Sequence, residues 1–155
     1  MKKDTGTYAL ILESKQEFEV TIGKLGRLKG SSGYYVYVGS AFGPGGVKAR
    51  LKHHRGNASK PHWHIDYLRL KLPFNEVWYT HDHRKRECEW AGLLAGMQGA
   101  VIPLPGFGAS DCKCMAHLIY FERNPSFRAF RKRLSYSNVN HASVRQVTYT
   151  YLTEL

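Results

Sequence analysis

The first part of the chain alternates apolar and polar residues in the way that β-strands do. Residues 8–12 predict a first strand, and residues 17–22 predict a second strand that pairs with it. Residues 34–38 predict a third strand, in which Tyr35 and Tyr37 share one face because successive side chains point to opposite sides. The glycines between these strands predict turns, at Gly23, Gly26, Gly30 and Gly33. The pattern indicates a small antiparallel sheet.

Helical spacing begins after the glycine-rich segment 43–46. The residues that share one face of this helix, at i, i+3, i+4 and i+7, are Val47, Arg50, Leu51 and His54. Arg50 therefore points toward the interior, where a guanidinium is costly unless an anion meets it. That anion is either a carboxylate of the protein or a bound phosphate.

A separate stripe of the same helix is basic. This exposed stripe consists of Lys48, Lys52 and Arg55. Such a stripe is suited to a phosphate backbone, and the alternative is an ordinary solvated helix surface.

Two more helices are predicted in the middle of the chain. Residues 59–70 predict one, with its first residue as the N-cap, and residues 87–94 predict the other, after a strand over residues 77–80. Glu87 lies on the apolar face of its helix. An inward carboxylate requires a cation, which is either Arg50 or a metal ion.

A cysteine–histidine segment follows a loop rich in proline and glycine. Cys112, Cys114 and His117 are residue types that bind zinc, but the C-x-C-x-x-H spacing has no second matching half. Buried thiols, or a loop packed near the functional site, are the favoured interpretation, and zinc remains an open alternative.

The C-terminal region predicts a strand over residues 118–121 and then a basic amphipathic helix that opens at residues 124–126. Its inward residues are Phe127, Phe130 and Leu134, and its outward residues are Arg128, Arg131, Lys132 and Arg133. This helix is a second surface suited to nucleic acid or, less favourably, to an anionic membrane. A final strand is indicated by the alternation of Val147, Tyr149 and Tyr151.

The net charge of the chain says more about its binding partner than its length does. The 155 residues suit one domain, and they carry 23 Lys and Arg against 12 Asp and Glu, which gives a formal net charge of +11. A broad positive field favours a polyanionic partner, of which nucleic acid is the commonest. The alternative is a basic protein without such a partner.

Three features of the sequence bear on where in the cell the protein is found. No stretch approaches the roughly 18 consecutive apolar residues that a membrane helix requires. The first residues lack the apolar segment of a signal peptide, and three cysteines do not suit a secreted disulfide scaffold. We expect a cytoplasmic protein that does not enter a membrane.

Several polar residues are predicted to face the interior or to lie at the ends of strands, and they indicate what reaction the protein could catalyse. They are Tyr8, Tyr35, Tyr37, Arg50, His54 and Glu87. In a basic protein this set suggests phosphodiester chemistry. Glu87 can anchor one Mg²⁺ or Mn²⁺ ion, and Arg50 can hold the scissile phosphate. A phenol or His54 can take the proton of an attacking water. A phenol in that role needs its pKa, ordinarily about 10, lowered by nearby positive charge.

These residues resemble the motifs of the GIY-YIG nucleases. Residues 6–8 are similar to the first motif and residues 37–39 to the second. Arg50 and His54 stand where that family has an arginine and a histidine on the next helix, and Glu87 stands in place of its metal-binding glutamate. The closer resemblance is to a small prokaryotic branch described as a domain of unknown function, in some proteins fused to an endonuclease III-type repair enzyme. The segments that carry it are residues 33–41, 63–67, 87–88 and 106–112.

The resemblance implies one α+β domain over residues 1–155, with a basic helix–strand extension from about residue 122. Its small antiparallel sheet has a three-stranded core, is extended by a hairpin insertion and a C-terminal strand, and is flanked by helices. The insertion accounts for a separation between the two motif tyrosines that is longer than usual in the family. The late asparagine of the family has no clear equivalent, and Ser110 and Asp111 are the residues that can replace it.

The resemblance also implies a divalent-metal-dependent DNA endonuclease that acts in DNA repair, with Glu87 as the ligand of a single ion. The implied catalytic residues are Tyr8, Tyr37, Arg50, His54 and Glu87, and the predicted nucleic-acid-binding residues are Lys48, Lys52, Arg55, Arg128, Arg131 and Lys132. DNA is the expected partner, with RNA as the other polymer and a repair protein as a further partner. Two other functions stay open, a nucleic-acid-binding module that does not cut and a different small phosphoester enzyme.

Overall fold

The computed structural model describes residues 4–56, 60–109, 112–137 and 140–148. The predicted α+β class is confirmed, since a five-stranded antiparallel sheet and a separate two-stranded sheet are flanked by four helices. The strands are β1 (Gly6–Ser14), β2 (Phe18–Ile22), β3 (Gly26–Gly30), β4 (Gly33–Ala41), β5 (Phe74–Thr80), β6 (Leu118–Phe121) and β7 (Val144–Thr148), and the helices are α1 (Gly46–Arg55), α2 (His64–Arg69), α3 (Glu87–Ala95) and α4 (Phe127–Ser137).

The large sheet has the order β6-β4-β1-β5-β7, so β1 lies at its centre. Strand β1 is buried on both faces and pairs antiparallel with β4 and with β5. Its pairing with β4 sets Tyr8 opposite Gly39 and Leu10 opposite Tyr37. This register brings the two motif segments predicted from the sequence side by side.

Helices cover both faces of the sheet, which separates two apolar clusters. One face buries Tyr8 and Tyr37 under α1 and α2, with Val47 and Leu51 supplied by α1. The other face packs against α3 and α4, with Trp90 among its buried side chains. Because strand residues alternate between faces, each central strand contributes to both clusters.

The predicted partner of β1 was wrong. Strand β2 pairs with β3 in its own hairpin, because both edges of β1 are already occupied by β4 and β5. Gly26 and Gly30, predicted as turn residues, belong to β3, and Gly33 is the first residue of β4. Gly30 fits there because the ring of Phe18 packs where its side chain would be. The hairpin is the predicted insertion between the two motifs, and it covers one face of the sheet through Ile22.

Helix α2 is shorter than predicted. It spans His64–Arg69 rather than residues 59–70, and the predicted N-cap at position 59 lies outside the described residues. The helix begins where it does because the carboxylate of Asp66 accepts the backbone N–H groups of His62 and Trp63, each at 2.8 Å. Polar capping close to the first turn thus overrides the longer helical pattern.

A buried ion pair joins α2 to the end of α1. The Arg69 guanidinium lies 3.0 Å from Asp66, and it also donates to the carbonyl oxygens of His54 at 3.0 Å and Gly56 at 2.6 Å. These carbonyls belong to the last turn of α1, which has no intrahelical donors left for them. Arg69 therefore holds in place the helix that carries Arg50 and His54.

This ion pair predicts a loss of stability in acid. Burial alone would raise the pKa of Asp66, but the N–H groups of Trp63 and His62 and the Arg69 charge lower it from 3.8 to about 2. A carboxyl whose pKa is lowered on folding contributes stability above its unfolded pKa, and that contribution is lost as pH falls from about 4 to about 2. We expect Asp66→Asn to lose about 3 kcal/mol at neutral pH, measured by urea unfolding.

The control for this measurement is Glu122→Gln, which removes an exposed carboxylate. The Asp66→Asn protein should also lose less stability than wild type between pH 4 and pH 2. Parallel acid-unfolding curves for the two proteins would contradict the role given to the pair.

The C-terminal segment joins the same sheet. Ser126 caps α4 by accepting the N–H of Ala129 at 3.0 Å, and the helix buries Phe130 and Leu134 as predicted. Strand β7 pairs with β5 at the sheet edge, whereas the predicted strand residues Tyr149 and Tyr151 lie outside the described residues. Among the residues described, none of the helices has the length and hydrophobicity needed to cross a bilayer.

Candidate functional site

Tyr8 lies at the centre of the site on β1. It is completely buried, and its hydroxyl lies 2.6 Å from Nε2 of His54 on α1. Gly39 is its partner across the sheet, and a Cβ at that position would lie 2.5 Å from the Tyr8 hydroxyl. The glycine of the second motif is therefore required by the phenol of the first.

Tyr37 lies beside Tyr8 on the same sheet face. Its ring centroid is 6.4 Å from that of Tyr8 and 6.3 Å from that of His54. Phe107 packs against its outer edge at 6.2 Å, and the Gly108 N–H donates to Nδ1 of His64 at 2.8 Å. The loop before β6 thereby closes one side of the site.

Arg50 is half-buried at the edge of this cluster. Its guanidinium lies 4.4 Å above the ring of Trp63, which precedes α2, and its positive charge acts to lower the pKa of Tyr8. Stacking of this kind holds the planar group while leaving its N–H donors free along the edge. Arg50 is thus less buried than the helical pattern predicted, and it packs on an aromatic ring.

Glu87 is the first residue of α3, and two side chains hold its carboxylate. The Ser40 hydroxyl donates to Oε1 at 2.9 Å, and Nδ1 of His117 lies 3.2 Å from Oε2, at ion-pair distance but at a bent hydrogen-bond angle. Within the described residues, Glu87 forms no direct ion pair with Arg50. The sequence alternative of a structural Glu87–Arg50 pair is therefore wrong.

The start of α3 is fixed by the first motif. The Thr7 hydroxyl accepts the backbone N–H of Arg86 at 3.1 Å, and Thr7 is paired with Ser40 across the sheet. Strand alternation explains this arrangement, because Tyr8 enters the tyrosine cluster while its neighbour Thr7 faces α3. Glu87 is thus tied to both central strands.

The protonation states differ from the expectation for a catalytic phenol. Burial raises the pKa of Tyr8 well above its ordinary value, and the neighbouring Tyr37 adds to this rise, while Arg50 opposes it. Burial also raises the pKa of Tyr37. The requirement that positive charge lower the pKa is therefore not met by the protein groups alone. Burial lowers the pKa of His54 to about 3, so a neutral imidazole accepts the Tyr8 proton in its hydrogen bond.

The surroundings of Glu87 suit one hard divalent ion. Burial would raise its pKa, but His117 and Ser40 lower it below its ordinary value, so the group is ionised at neutral pH. A carboxylate has about four lone-pair positions, of which two are used here, and its side chain is 29% exposed. Mg²⁺ and Mn²⁺ accept such a site, because they retain most of their waters and need few protein ligands.

The structure brings one further residue to the predicted cysteine–histidine segment. Cys88, on α3 directly after Glu87, joins Cys112, Cys114 and His117, and the four ligand atoms all lie within 4.8 Å of one another. The missing fourth ligand of the C-x-C-x-x-H pattern is therefore present.

A second group of metal-binding residue types is of a different kind. His53, His54 and Asp66 also converge. However, the charge of Asp66 is neutralised by Arg69 at 3.0 Å, and Nε2 of His54 is hydrogen-bonded to the Tyr8 hydroxyl. A buried guanidinium in contact with the only carboxylate opposes a cation there.

The predicted nucleic-acid-binding residues fall on two separate surfaces. Lys48, Lys52 and Arg55 are exposed on α1, the helix that carries Arg50. The outward residues of α4 are exposed too, but α4 packs on the opposite face of the sheet from Tyr8 and Tyr37. Only the basic stripe of α1 shares an element with the site.

Sequence reasoning missed three residues that touch the site. Ser40 binds Glu87, Trp63 supports Arg50, and Cys88 completes the thiol cluster. Ser40 follows the second motif directly, so its position in the sequence was an available signal, whereas nothing in the spacing links Cys88 to the other thiols. Ser110 and Asp111, the predicted replacements for the late asparagine, lie outside the described residues.

Two tyrosines on adjacent strands, an arginine and a histidine on the next helix, and a glutamate that opens a third helix define a GIY-YIG-like domain. The chain belongs to the family described as "Domain of unknown function DUF123", which it matches over residues 7–139. This match confirms the resemblance to the small prokaryotic branch. No curated protein and no solved structure gives a significant match.

Proposed function

We propose that the protein is a divalent-metal-dependent endonuclease that hydrolyses phosphodiester bonds in DNA. The observation that carries this proposal is the convergence of Tyr8, His54 and Arg50 on one sheet face with an ionised Glu87 held nearby. This arrangement combines a proton acceptor, a phosphate-binding cation and an ion ligand, which phosphodiester hydrolysis needs together. The net charge of +11 favours a polyanionic substrate.

Arg50 binds the scissile phosphate in this mechanism. Its guanidinium is held flat against Trp63 at 4.4 Å, so its donors are oriented before the substrate arrives. Arginine binds phosphate oxygens through two parallel N–H donors, which adds orientation to charge. The phosphate would thereby lie close to Tyr8, on whose phenol the Arg50 charge also acts.

Tyr8 and His54 move the proton of the attacking water. The phenol is protonated and already donates to Nε2 of His54 at 2.6 Å. The Tyr8 oxygen can therefore accept a proton from water in the same step in which its own proton passes to His54, so that no free phenolate is formed. Because burial lowers the pKa of His54 to about 3, the imidazole takes part in this transfer but does not keep the proton. Tyr37 packs beside both rings and helps to bury the hydrogen bond between Tyr8 and His54.

Glu87 would hold the divalent ion, and Ser40 and His117 would orient the carboxylate. When bound, Mg²⁺ or Mn²⁺ supplies charge that stabilises the developing negative charge on phosphate and on the leaving oxygen. The direct test is incubation of the protein with labelled single-stranded, duplex and flapped DNA, with and without Mn²⁺. Cleavage that requires the ion is the expected result, and no product on any substrate at any ion concentration would overturn the proposal.

The competing function is binding without cleavage, as an accessory module of a repair enzyme. The raised pKa of Tyr8 and the lowered pKa of His54 favour it, because the phenol stays protonated and the imidazole is a weak base. This function predicts salt-sensitive DNA binding with no product under any ion condition. Cleavage of a small chromogenic phosphodiester without DNA cleavage would instead indicate a different phosphoester enzyme.

We expect the bound strand to run along the basic stripe of α1. The double variant Lys48→Ala, Lys52→Ala should lower the slope of log K against log salt concentration by about 2, since each phosphate contact contributes about 0.9. Fluorescence anisotropy at several salt concentrations measures this slope. Both residues are exposed, so the free energy of unfolding should change little.

The matched comparison is the triple variant Arg128→Ala, Arg131→Ala, Lys132→Ala on α4. Its residues lie on the other face of the sheet, so its slope should change less, although it removes more charge. A reduced slope in the α4 variant with an unchanged slope in the α1 variant would move the DNA-binding surface to the opposite face.

A further inference from the structure

Every cysteine of the chain meets one histidine at a single point. Cys88 comes from α3, Cys112 and Cys114 from the loop that precedes β6, and His117 directly precedes that strand. One ligand atom from each lies within 4.8 Å of all the others, and no disulfide is formed among them. Three thiols and an imidazole gathered from separate parts of the chain form a donor set suited to a metal ion, and an odd number of thiols cannot all pair as disulfides.

The distances suit a tetrahedral metal ion. With Zn–S bonds of about 2.3 Å and a Zn–N bond of about 2.0 Å, tetrahedral angles place nitrogen about 3.5 Å and sulfur about 3.8 Å from a ligand sulfur. Nε2 of His117 lies 3.3 Å from the sulfur of Cys112 and 3.9 Å from that of Cys88. These separations lie on either side of the tetrahedral value.

We propose a structural zinc site whose ligands are Cys88, Cys112, Cys114 and His117. Zinc is the ion that three thiolates and one imidazole select, because soft sulfur ligands in a tetrahedral set exclude Mg²⁺ and Mn²⁺. Four protein ligands leave no open position, so the site is structural rather than hydrolytic. This ion is separate from the one that Glu87 would hold.

The site joins parts of the chain that regular structure leaves unconnected. Few helical or strand residues lie between the end of α3 and β6, and the segment is held by backbone bonds such as the one from Gly106 N–H to the Met115 carbonyl. Zinc would tie this segment to the first turn of α3. Phe107, which packs on Tyr37, belongs to the same loop.

His117 links the zinc site to Glu87. Its Nε2 faces the thiols, and its Nδ1 lies 3.2 Å from Oε2 of Glu87. Zinc on Nε2 requires the remaining ring proton to be on Nδ1, where it faces a carboxylate that then orients the ring. His117 is therefore a positioning residue for Glu87. This last consequence rests on the proposed nuclease function, whereas the zinc site does not.

The test uses the full chain without a histidine tag, produced in zinc-supplemented medium and dialysed against metal-free buffer. Inductively coupled plasma mass spectrometry should find about one zinc ion per chain. Cobalt added to the reduced, zinc-free protein should give the visible absorption of tetrahedral thiolate-bound Co²⁺. Less than about a tenth of a zinc ion per chain, together with no cobalt spectrum, would overturn the site.

Single substitutions identify the ligands. Cys88→Ser should retain less than about half of the wild-type zinc content, since it removes one of the four ligands. The control is His83→Asn, an exposed residue in the segment before α3, which should keep full zinc content. Full zinc content in Cys88→Ser would overturn the four-ligand assignment. Failure of that variant to fold leaves the test intact, because the wild-type measurement needs no substitution.

The link to Glu87 has its own readout. Long-range ¹H–¹⁵N correlation in the zinc-loaded protein should show His117 protonated at Nδ1 and metal-bound at Nε2, and the opposite tautomer would overturn the link. These measurements use no DNA. A zinc-loaded protein that does not cut DNA would count against the nuclease alone, and an active protein that binds no zinc would count against the zinc site alone.

Discussion

Replacement of Glu87 by glutamine is expected to reduce ion-dependent DNA cleavage by about 10³-fold or more, because several kcal/mol of transition-state stabilisation depend on its ion. Glutamine keeps the size of the side chain and its hydrogen bond from Ser40, but it removes the charge that an ion requires. The side chain is 29% exposed, so the free energy of unfolding should change by less than about 1 kcal/mol. The measurement is single-turnover cleavage at low and at saturating Mn²⁺ concentrations.

The control for this variant is Glu89→Gln on the same helix. Glu89 is also partly exposed, and it lies 3.5 Å from Arg86, away from the Ser40–His117 pair that holds Glu87. The Glu89→Gln protein should cleave DNA within about twofold of wild type, as expected of a position outside the chemistry. Normal cleavage by Glu87→Gln at low ion concentration would show that the ion binds elsewhere.

Tyr8→Phe is the second large effect that we expect. Loss of a proton-transfer group costs about 10²- to 10⁴-fold in the chemical step, and phenylalanine removes only the hydroxyl that lies 2.6 Å from His54. DNA affinity should be unchanged, since Arg50 and the basic stripe of α1 remain. The free energy of unfolding should fall by about 1–2 kcal/mol, because Nε2 of His54 loses its buried partner.

Tyr35→Phe is the matched control for that experiment. Tyr35 lies on the same sheet face as Tyr8, but its hydroxyl donates to the Ser31 carbonyl at 2.7 Å, outside the cluster around His54. It should therefore lose a comparable hydrogen bond without losing activity. If the two variants cleave DNA equally well, the proton passes through another group, and the assignment of Tyr8 and His54 as a pair is incorrect.

Local patterns predicted the parts of the site that depend on periodicity. Alternation places Tyr35 and Tyr37 on one face of β4, and the structure confirms that both belong to the same buried cluster. Helical spacing places Arg50 and His54 on the inner side of α1, and the structure buries His54 there but leaves Arg50 half-buried. These features follow from a residue and its near neighbours in the chain, so the sequence contains them directly.

Which strands pair, and which side chains bind Glu87, depended on contacts between residues that are distant in the sequence. The alternation of β2 shows which of its faces is apolar, but not that β3 rather than β1 accepts it, because both pairings satisfy the same pattern. Likewise, an inward Glu87 requires a donor, but Ser40 and His117 are found only after α3 packs beside β4 and β6. The raised pKa of Tyr8 also results from packing, because it is caused mainly by burial.

The sequence by itself determined the class of the fold, the basic character of the molecule, and the residues that end on each face of its strands and helices. Only the tertiary structure decided which of these faces meet. Cys88 illustrates the difference, since nothing in its spacing joins it to Cys112 and Cys114, yet the packing of α3 against the last loop brings the three thiols together. The spacing of residues along a strand or helix determines which way each side chain points. The distance between side chains that are remote in the sequence depends instead on how the whole core packs.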